Sequence, residues 1–522
     1  MNFDDDYDDY EYDGYDESGE YTMPEAVRSF LLYFRRALVE GNMYEINALY
    51  ENTFSSLSKK YFRNREWPPV EAVVELVGSD EVFLMFYSEI YYRHIYANLT
   101  PTLEQRFASY EAYCKLFDHL LGVGSPEELP LGVHEIPPAW IWDMVDEFIY
   151  QYQSFCQFRH KTRNLSAEDV AALSDHPEMW SVTNVLAKLY GFVAKSNVEE
   201  VLKVERANPD LVISGDEPGM TFGSTNLYKM LGYFSMVGLL RLHTLLGDYR
   251  LALQSIAAID ITDKRAYYTL VTACHISLFY YLGFGYMMMR RYVDAIGSWS
   301  TALNYITRTK QFHTRSYQYD SILKMNEQMY TFLAATISLS PRRIDESLQQ
   351  TLRDKHADRM TRMQNGDVKA FEEAFSRACP KFINPAVPDF GDLDAEAGKY
   401  GSAFQAQLSL FLRDVRAQFS VPRVRSYLKL YTSMATDKLA GFLSIDEAEF
   451  RTLLMCYKHK TCNLIHEEES MAPLDGTIAS SSDVTFYLER DMVTIADTKV
   501  ARRYCDYFIR HVKRFSDIMR KK

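Results

Sequence analysis

Several features that would point to a secreted or nucleic-acid-binding protein are missing from this chain. Its 522 residues include only seven cysteines, too few and too scattered for a disulfide framework, which favours free thiols in a reducing compartment. The first 22 residues contain ten acidic and no basic side chains, so a secretory signal peptide is not expected there. The net charge of −14 lacks the basic excess typical of chains that bind nucleic acid. We therefore expect a cytoplasmic protein.

Sequence patterns of common catalytic and cofactor sites are absent too. There is no P-loop, nucleophile elbow or H-E-x-x-H motif, and "GFGY" at 283–286 is a glycine pair without a preceding strand. Cys456, His459, Cys462 and His466 are ligand types for zinc. Along one helix, however, they would form a row ~15 Å long, whereas tetrahedral ligands surround one point at about 2 Å. We expect no catalytic residue, cofactor or metal.

The acidic first segment, residues 1–22, is predicted to be a disordered tail, because like charges repel and little apolar surface is available. One interpretation is a solubilising tail. The alternative is a docking segment for a basic partner, in which Tyr7, Tyr10, Tyr12 and Tyr15 contribute contacts.

The chain from Pro24 onward has helical periodicity. Apolar residues recur at the spacing of one helix face at Val27, Phe30, Leu31, Phe34 and Leu38. "YYRHIYA", residues 91–97, combines side chains common in proton transfer and anion binding. It lies near the end of a predicted helix that stops at Thr100-Pro101, where aromatic side chains at this spacing usually pack on a neighbouring helix. We interpret the tract as structural.

An internal repeat follows a loop that marks a boundary near residue 220. "LGDYRLAL" at 246 and "MRRYVDAI" at 289 align with an offset of 43 residues, so that Tyr249 matches Tyr292 and Ala252 matches Ala295. The second copy has the spacing of a tetratricopeptide-like helix pair at these positions: Leu282, Gly283, Tyr286, Ala295, Trp299 and Ala302. The repeat predicts a short helical solenoid.

Residues 266–289 have no acidic side chain and no lysine or arginine after Arg265, a run long enough to cross a bilayer. The run contains His275, several tyrosines and two glycines, and it continues into the repeat. A buried solenoid helix is therefore the preferred interpretation over a membrane span.

The last quarter of the chain changes pattern. Residues 421–461 predict three helices, and Ser444 with Glu447 has the spacing of a capping box. Alternation at Val484, Phe486 and Leu488, and again at Val493 and Ile495, predicts two strands joined at "ERD". Three helices followed by a hairpin indicate a winged helix, whose third helix is mixed in charge rather than strongly basic.

A basic amphipathic helix is predicted at the end of the chain. Residues 499–522 carry nine Lys or Arg against two Asp. The apolar stripe is the candidate partner-binding surface, formed by Val500, Tyr504, Phe508, Val512, Phe515 and Met519. We expect it to bundle with partner helices rather than to lie on a membrane. Direct RNA contact through its charged face is the weaker alternative.

The predicted fold is mainly α: a tetratricopeptide-like solenoid, then a winged helix, then the terminal amphipathic helix. The domain bounds that we expect are 1–22 for the tail, 23–220 for a helical domain, 221–410 for the repeats, 411–497 for the winged helix and 498–522 for the last helix. This order resembles the PCI architecture, with a PCI domain at about 296–497. The tracts "YYRHIYA", "TPTLEQRFASYEAYCKLF", "WDMVDEFIYQYQSFCQFR", "GLLRLHTLLGDYRLA" and "DTKVARRYCDYFIR" resemble the subunit L family of eukaryotic translation initiation factor 3.

This resemblance implies a non-enzymatic scaffold in a large complex that binds the small ribosomal subunit and helps to recruit mRNA and initiator tRNA. It implies subunits K and E as the nearest neighbours. Two alternatives remain at this point: a PCI scaffold of a proteasome-lid or signalosome complex, and a winged-helix regulator that binds nucleic acid.

Overall fold

The structure is a computed structural model that describes residues 23–122, 135–207, 225–313, 318–392, 396, 398–399, 401–466, 472–480 and 484–520. The predicted acidic tail, the Gly/Pro-rich segment after Gly122 and the loop that suggested a boundary near 220 lie outside these ranges. Within them the chain is mainly helical, as the sequence predicts. It divides into two compact units.

The first unit comprises residues 1–278, 310–323 and 381–403. Its helices include the predicted amphipathic first helix and the helix that carries "YYRHIYA". In chain order they are α1 Glu25–Glu40, α2 Met43–Ala48, α3 Phe54–Tyr61, α4 Val70–Val77, α5 Glu81–Asn98, α6 Leu103–Leu121, α7 Pro138–Arg159, α8 Ala167–Asp175, α9 Val182–Ser196, α10 Val198–Ala207, α11 Asn226–Leu246 and α12 Tyr249–Gln254.

Sequence signals account for where several of these helices begin and end. All five stripe residues of α1 are buried, and Gly41 closes that helix in the left-handed conformation that glycine adopts without steric cost. Thr102 and Gln105 form a reciprocal capping box at the start of α6. Asn197, also left-handed, separates α9 from α10.

The second unit comprises residues 279–309, 324–380 and 404–522. Its first helix, α13, is Thr272–Met288 and begins in the other unit. The remaining helices are α14 Tyr292–His313, α15 Tyr319–Leu339, α16 Glu346–Gln364, α17 Val368–Ala378, α18 Ser402–Leu428, α19 Thr436–Leu443, α20 Glu447–Thr461 and α21 Thr498–Arg520. The strands are β1 Ser433–Ala435, β2 Cys462–Ile465, β3 Thr477–Ser480, β4 Val484–Glu489 and β5 Met492–Asp497.

The predicted helix pair of the repeat is formed by α13 and α14. A β-carbon on Gly283 would lie 2.4 Å from Nε1 of Trp299, so only glycine leaves room for this indole. Trp299 is fully buried and stacks on Phe332 with ring centroids 5.6 Å apart. The first repeat copy is less complete, because its second helix, α12, has six residues against 22 in α14.

The predicted winged helix is present, with α18, α19 and α20 before the β4–β5 hairpin. The sheet has the order β1-β5-β4, and both pairings are antiparallel. Val484 and Phe486 of β4 and Val493 of β5 are buried against Leu454 and Tyr457 of α20. The hairpin register pairs Leu488 with Val493 and turns at Arg490, close to the predicted position.

One local prediction in this region is wrong. Ser444 is not an N-cap: it ends α19 in the left-handed conformation, and Asp446 caps α20 by accepting a hydrogen bond from the Ala448 N–H. Three further strands, β1, β2 and β3, carried no signal in the sequence. Each has only three or four residues, which is too short for alternation to identify it.

A buried ion pair fixes the segment between β2 and β3 to the start of α14. Arg291 Nε donates to Asp294 Oδ2 at 2.7 Å, and both side chains are less than a tenth exposed. The guanidinium also donates to the carbonyls of Pro473, Leu474 and Asp475 at 2.8–3.1 Å. Asp294 accepts the His466 N–H. One pair therefore anchors both ends of this loop.

We expect Asp294→Ala to lower the unfolding free energy by about 3–5 kcal/mol, because it leaves the Arg291 cation buried without its carboxylate. The matched control is Arg353→Ala, which removes an exposed ion pair of 3.8 Å and should cost under about 1 kcal/mol. Urea unfolding followed by circular dichroism measures both. Equal losses in the two variants would contradict the anchoring role of the buried pair.

Candidate interaction surface

The "YYRHIYA" tract lies on α5 and is held by internal hydrogen bonds. Tyr91 donates to Glu66 Oε2 at 2.7 Å, and His94 Nε2 lies 2.9 Å from the Arg65 carbonyl. Arg93 pairs with Glu89 and lies over the Tyr50 ring at 5.2 Å. Burial lowers the pKa of His94. These contacts give the tract a structural role, because they hold α5 against the segment before α4.

Glu89 is the most deeply buried carboxylate of this region, with a side chain 1% exposed. Besides Arg93, it accepts hydrogen bonds from the Tyr113 hydroxyl and the Trp140 indole, each at 3.0 Å. Burial raises the pKa of Glu89 to about 8, although the two neutral donors favour the ionised form. Glu89 therefore joins α5, α6 and α7, and its hydrogen-bonding groups are engaged with protein partners.

The four residues considered for zinc do not lie along one helix. Cys456 and His459 are in α20, but α20 ends at Thr461, so Cys462 begins β2 and His466 follows that strand. The prediction that all four lie in a row along one helix is therefore wrong for Cys462 and His466. In the part of the chain that the structure describes, no group of three or more His, Cys, Asp or Glu is arranged to hold a metal ion.

The predicted apolar stripe of the terminal helix α21 is exposed wherever its side chains are described. Phe508 is 62% exposed, Val512 67%, Phe515 63% and Met519 78%. The side chains of Val500 and Tyr504 lie outside the described set. The stripe is a continuous apolar surface over three turns of a helix. Single exposed apolar side chains are common on protein surfaces, but a continuous apolar patch of this kind marks an interaction site.

The exposed apolar face of α21 is wider than the sequence stripe suggested. Tyr507, Ile509 and Ile518 are each at least half exposed and border the predicted residues. His511 lies between the Tyr507 and Phe515 rings, at 4.3 and 6.3 Å. These residues would have been identified in the sequence by allowing a wider apolar sector of the helix than the strict i, i+3, i+4 stripe. The basic residues Arg510, Lys513 and Arg514 occupy the opposite side of the helix.

The winged helix adds two exposed features. Strand β4 is an edge of the sheet, and its Tyr487 is 54% exposed. Near α19, the ring of Phe442 stacks between Tyr427 and Tyr431, with centroids 5.9 and 6.2 Å apart. These aromatic residues follow no single periodic stripe in the sequence, because Tyr427 and Tyr431 lie at the end of α18 and just beyond it whereas Phe442 belongs to α19.

Together, the repeat helices, the winged helix and the terminal amphipathic helix define a mainly α-helical solenoid protein with a PCI-like C-terminal region. Residues 105–515 match the protein family described as RNA polymerase I-associated factor PAF67. Three relatives, each named eukaryotic translation initiation factor 3 subunit L, are similar over nearly the whole chain. The relative from Nematostella vectensis is 45% identical, covering 99% of this chain and 96% of its own length.

The relative from Danio rerio is 44% identical over 96% of this chain and 88% of its own, and that from Homo sapiens is 43% identical over 97% and 92%. The chain therefore belongs to the family of eukaryotic translation initiation factor 3 subunit L. In the described ranges, none of the helices is both long and apolar enough to span a bilayer.

The buried Glu89 predicts a pH dependence of stability. Its pKa of about 8 in the folded chain exceeds the usual 4.5, so the folded state binds the proton more tightly. The resulting stabilisation is complete below about pH 4.5 and is lost as pH rises through about 8. Glu89→Gln cannot titrate; it keeps one oxygen acceptor but loses the other, because Tyr113 and Trp140 donate to different oxygens of the carboxylate. We expect this variant to lose less stability than the parent chain between pH 5 and pH 8.

Thermal unfolding at several pH values measures the difference. Glu66→Gln is the control, because Glu66 also accepts a tyrosine hydroxyl but is exposed rather than buried. Parallel pH profiles for the parent chain and Glu89→Gln would show that Glu89 does not titrate in this range.

Proposed function

We propose that this chain is a non-catalytic scaffold subunit of eukaryotic translation initiation factor 3. In that role it supports binding of the complex to the small ribosomal subunit and recruitment of mRNA and initiator tRNA. Family membership supports the assignment to the factor. The observation that carries the scaffold role is the exposed apolar face of α21, a surface suited to burial in a multi-subunit assembly.

The mode of assembly that we propose is helix bundling through α21. Phe508, Val512 and Phe515 would enter the core of a helix bundle formed with sister subunits. Burying each apolar side chain contributes ~1.5–3 kcal/mol. This gain exceeds what screened surface charges supply. The edge strand β4 offers a second contact, by pairing with a strand of a neighbouring subunit.

The partners that we infer are other subunits of the factor, with K and E nearest, in the cytoplasm. The lid and signalosome alternatives lose support because the relatives quoted above all carry the initiation factor name. The nucleic-acid regulator loses support because α20 mixes Glu447 and Glu449 with Lys458 and Lys460 rather than presenting a basic face. The internally hydrogen-bonded cluster around Glu89 gives no support to a catalytic role.

The test separates bundling from electrostatic attachment. Phe508→Ser with Phe515→Ser should abolish co-purification of the tagged chain with other subunits of the factor and with small ribosomal subunits. Arg510→Ser, Lys513→Ser and Arg514→Ser together should weaken it much less. All five side chains are exposed on α21, so neither variant should disturb folding, which gel filtration and circular dichroism can confirm.

The opposite pattern, in which the charge variant fails to assemble while the phenylalanine variant assembles normally, would reject bundling. It would indicate a charged partner such as ribosomal RNA. Cross-linking of the assembled complex tests the neighbours, because subunits K and E should give the contacts nearest to α21. If both variants assemble normally, α21 is not the assembly surface.

A further inference from the structure

A heptad pattern runs along the terminal helix α21 and contains a histidine at its centre. Six residues recur at alternating intervals of three and four positions, which is the spacing of a seam along which helices pack. The seam comprises Ala501, Tyr504, Phe508, His511, Phe515 and Ile518. The side chains of the last four are described. His511 therefore lies between two phenylalanines on the line where a partner helix would make contact.

The seam is open to solvent in this chain. Phe508, Phe515 and Ile518 are each at least half exposed. His511 is partly exposed, and rings of its own helix lie beside it, with centroid distances of 4.3 Å to Tyr507 and 6.3 Å to Phe515. These two rings hold the imidazole on the seam rather than on the basic side of the helix.

His511 has no carboxylate within reach on α21. Side chains on a helix reach neighbours three and four positions away. For His511 these neighbours are Tyr507, Phe508, Arg514 and Phe515. The two aspartates of the helix, Asp506 and Asp517, lie five and six positions away. Within the described residues, the His511 ring forms neither a hydrogen bond nor an ion pair.

Packing of this seam in a helix bundle would bury the imidazole together with the phenylalanines. A neutral imidazole carries one ring N–H donor, and an imidazolium carries two. A buried donor without an acceptor costs more than a formed hydrogen bond contributes. A polar residue in an apolar seam therefore favours partners that offer an acceptor at the same level, as polar residues in coiled coils determine register and oligomeric state.

The charge of α21 indicates that this acceptor belongs to an acidic helix. Residues 499–522 carry nine Lys or Arg against two Asp. Arg510, Lys513 and Arg514 are exposed and flank the seam residues in sequence. A second copy of α21 would place an equal excess of positive charge beside these cations, which disfavours self-pairing. An acidic partner helix complements them and supplies carboxylates as acceptors.

We propose that His511 determines which helix α21 accepts, by donating a hydrogen bond to a carboxylate that an acidic helix of a sister subunit places in the seam. This inference rests on the helix bundling proposed above and adds the chemistry of the partner. Phe508 and Phe515 supply the apolar contact. His511 supplies the discrimination, because a helix without an acceptor at that level leaves the ring N–H buried and unpaired.

Competition between tagged full-length chains tests this role. Parent and His511→Leu chains with different tags are mixed in equal amounts with a limiting amount of the other subunits of the factor. Apolar packing alone predicts that leucine assembles better, because it adds apolar area to the seam. Loss of the hydrogen bond leaves the partner carboxylate buried without a donor. We therefore expect the parent chain to exceed His511→Leu in the assembled complex roughly tenfold or more.

Two further variants separate hydrogen bonding from packing. His511→Gln keeps a polar donor on the seam and should be recovered within about threefold of the parent chain. Ile518→Leu is the matched control at the next seam position, because it exchanges apolar side chains of equal volume, and it should compete nearly equally. Circular dichroism checks that each chain is folded. Recovery of His511→Leu at or above the level of the parent chain would overturn the proposal.

Failure of this proposal can be distinguished from failure of bundling. If Phe508→Ser with Phe515→Ser abolishes assembly while His511→Leu competes as well as the parent chain, α21 bundles but His511 does not determine its partner. If the phenylalanine variant assembles normally, both proposals fail. Sedimentation velocity of the parent chain alone should show a monomer. A dimer that the phenylalanine variant abolishes would identify a second copy as the occupant and would reject an acidic partner helix.

Discussion

Hydrogen bonds from buried tyrosine hydroxyls join segments of this helical core that are distant in sequence, and several features of the fold depend on them. Tyr113 reaches Glu89 across two helices, Tyr280 donates to the Ala378 carbonyl and Tyr286 to the Pro473 carbonyl. Each bond joins segments that are distant in sequence. Because an unpaired buried hydroxyl costs more than the bond itself contributes, these contacts determine which helices lie together as well as adding stability.

Much of the helical architecture was predictable because helix formation depends on local periodicity. The stripe of α1 and the β4–β5 hairpin are each determined by residues a few positions apart, and the glycine that admits Trp299 lies on the neighbouring helix of the same repeat. The same reasoning failed at Ser444, because a left-handed turn and a helix start share the same residue preferences. It also failed at Cys462, where the helix changes to a strand without a glycine or proline to mark the boundary.

The interaction surfaces were predictable to different degrees. The stripe that we propose as a partner surface could be read from the sequence, because Phe508, Val512, Phe515 and Met519 recur at the spacing of one helix face. Arg291 and Asp294 instead looked like an ordinary helix-surface pair, since their partners at 466 and 473–475 lie about 180 residues away.

The single tryptophan of the second unit has a spectroscopic consequence. Of the five tryptophans, Trp67, Trp140, Trp142 and Trp180 belong to the first unit, and Trp299 alone lies in the second. All five are fully buried. A Trp299→Phe chain therefore reports the indole emission of the first unit alone, and its difference from the parent chain isolates the second. Emission can thus distinguish whether the two units unfold together or in sequence.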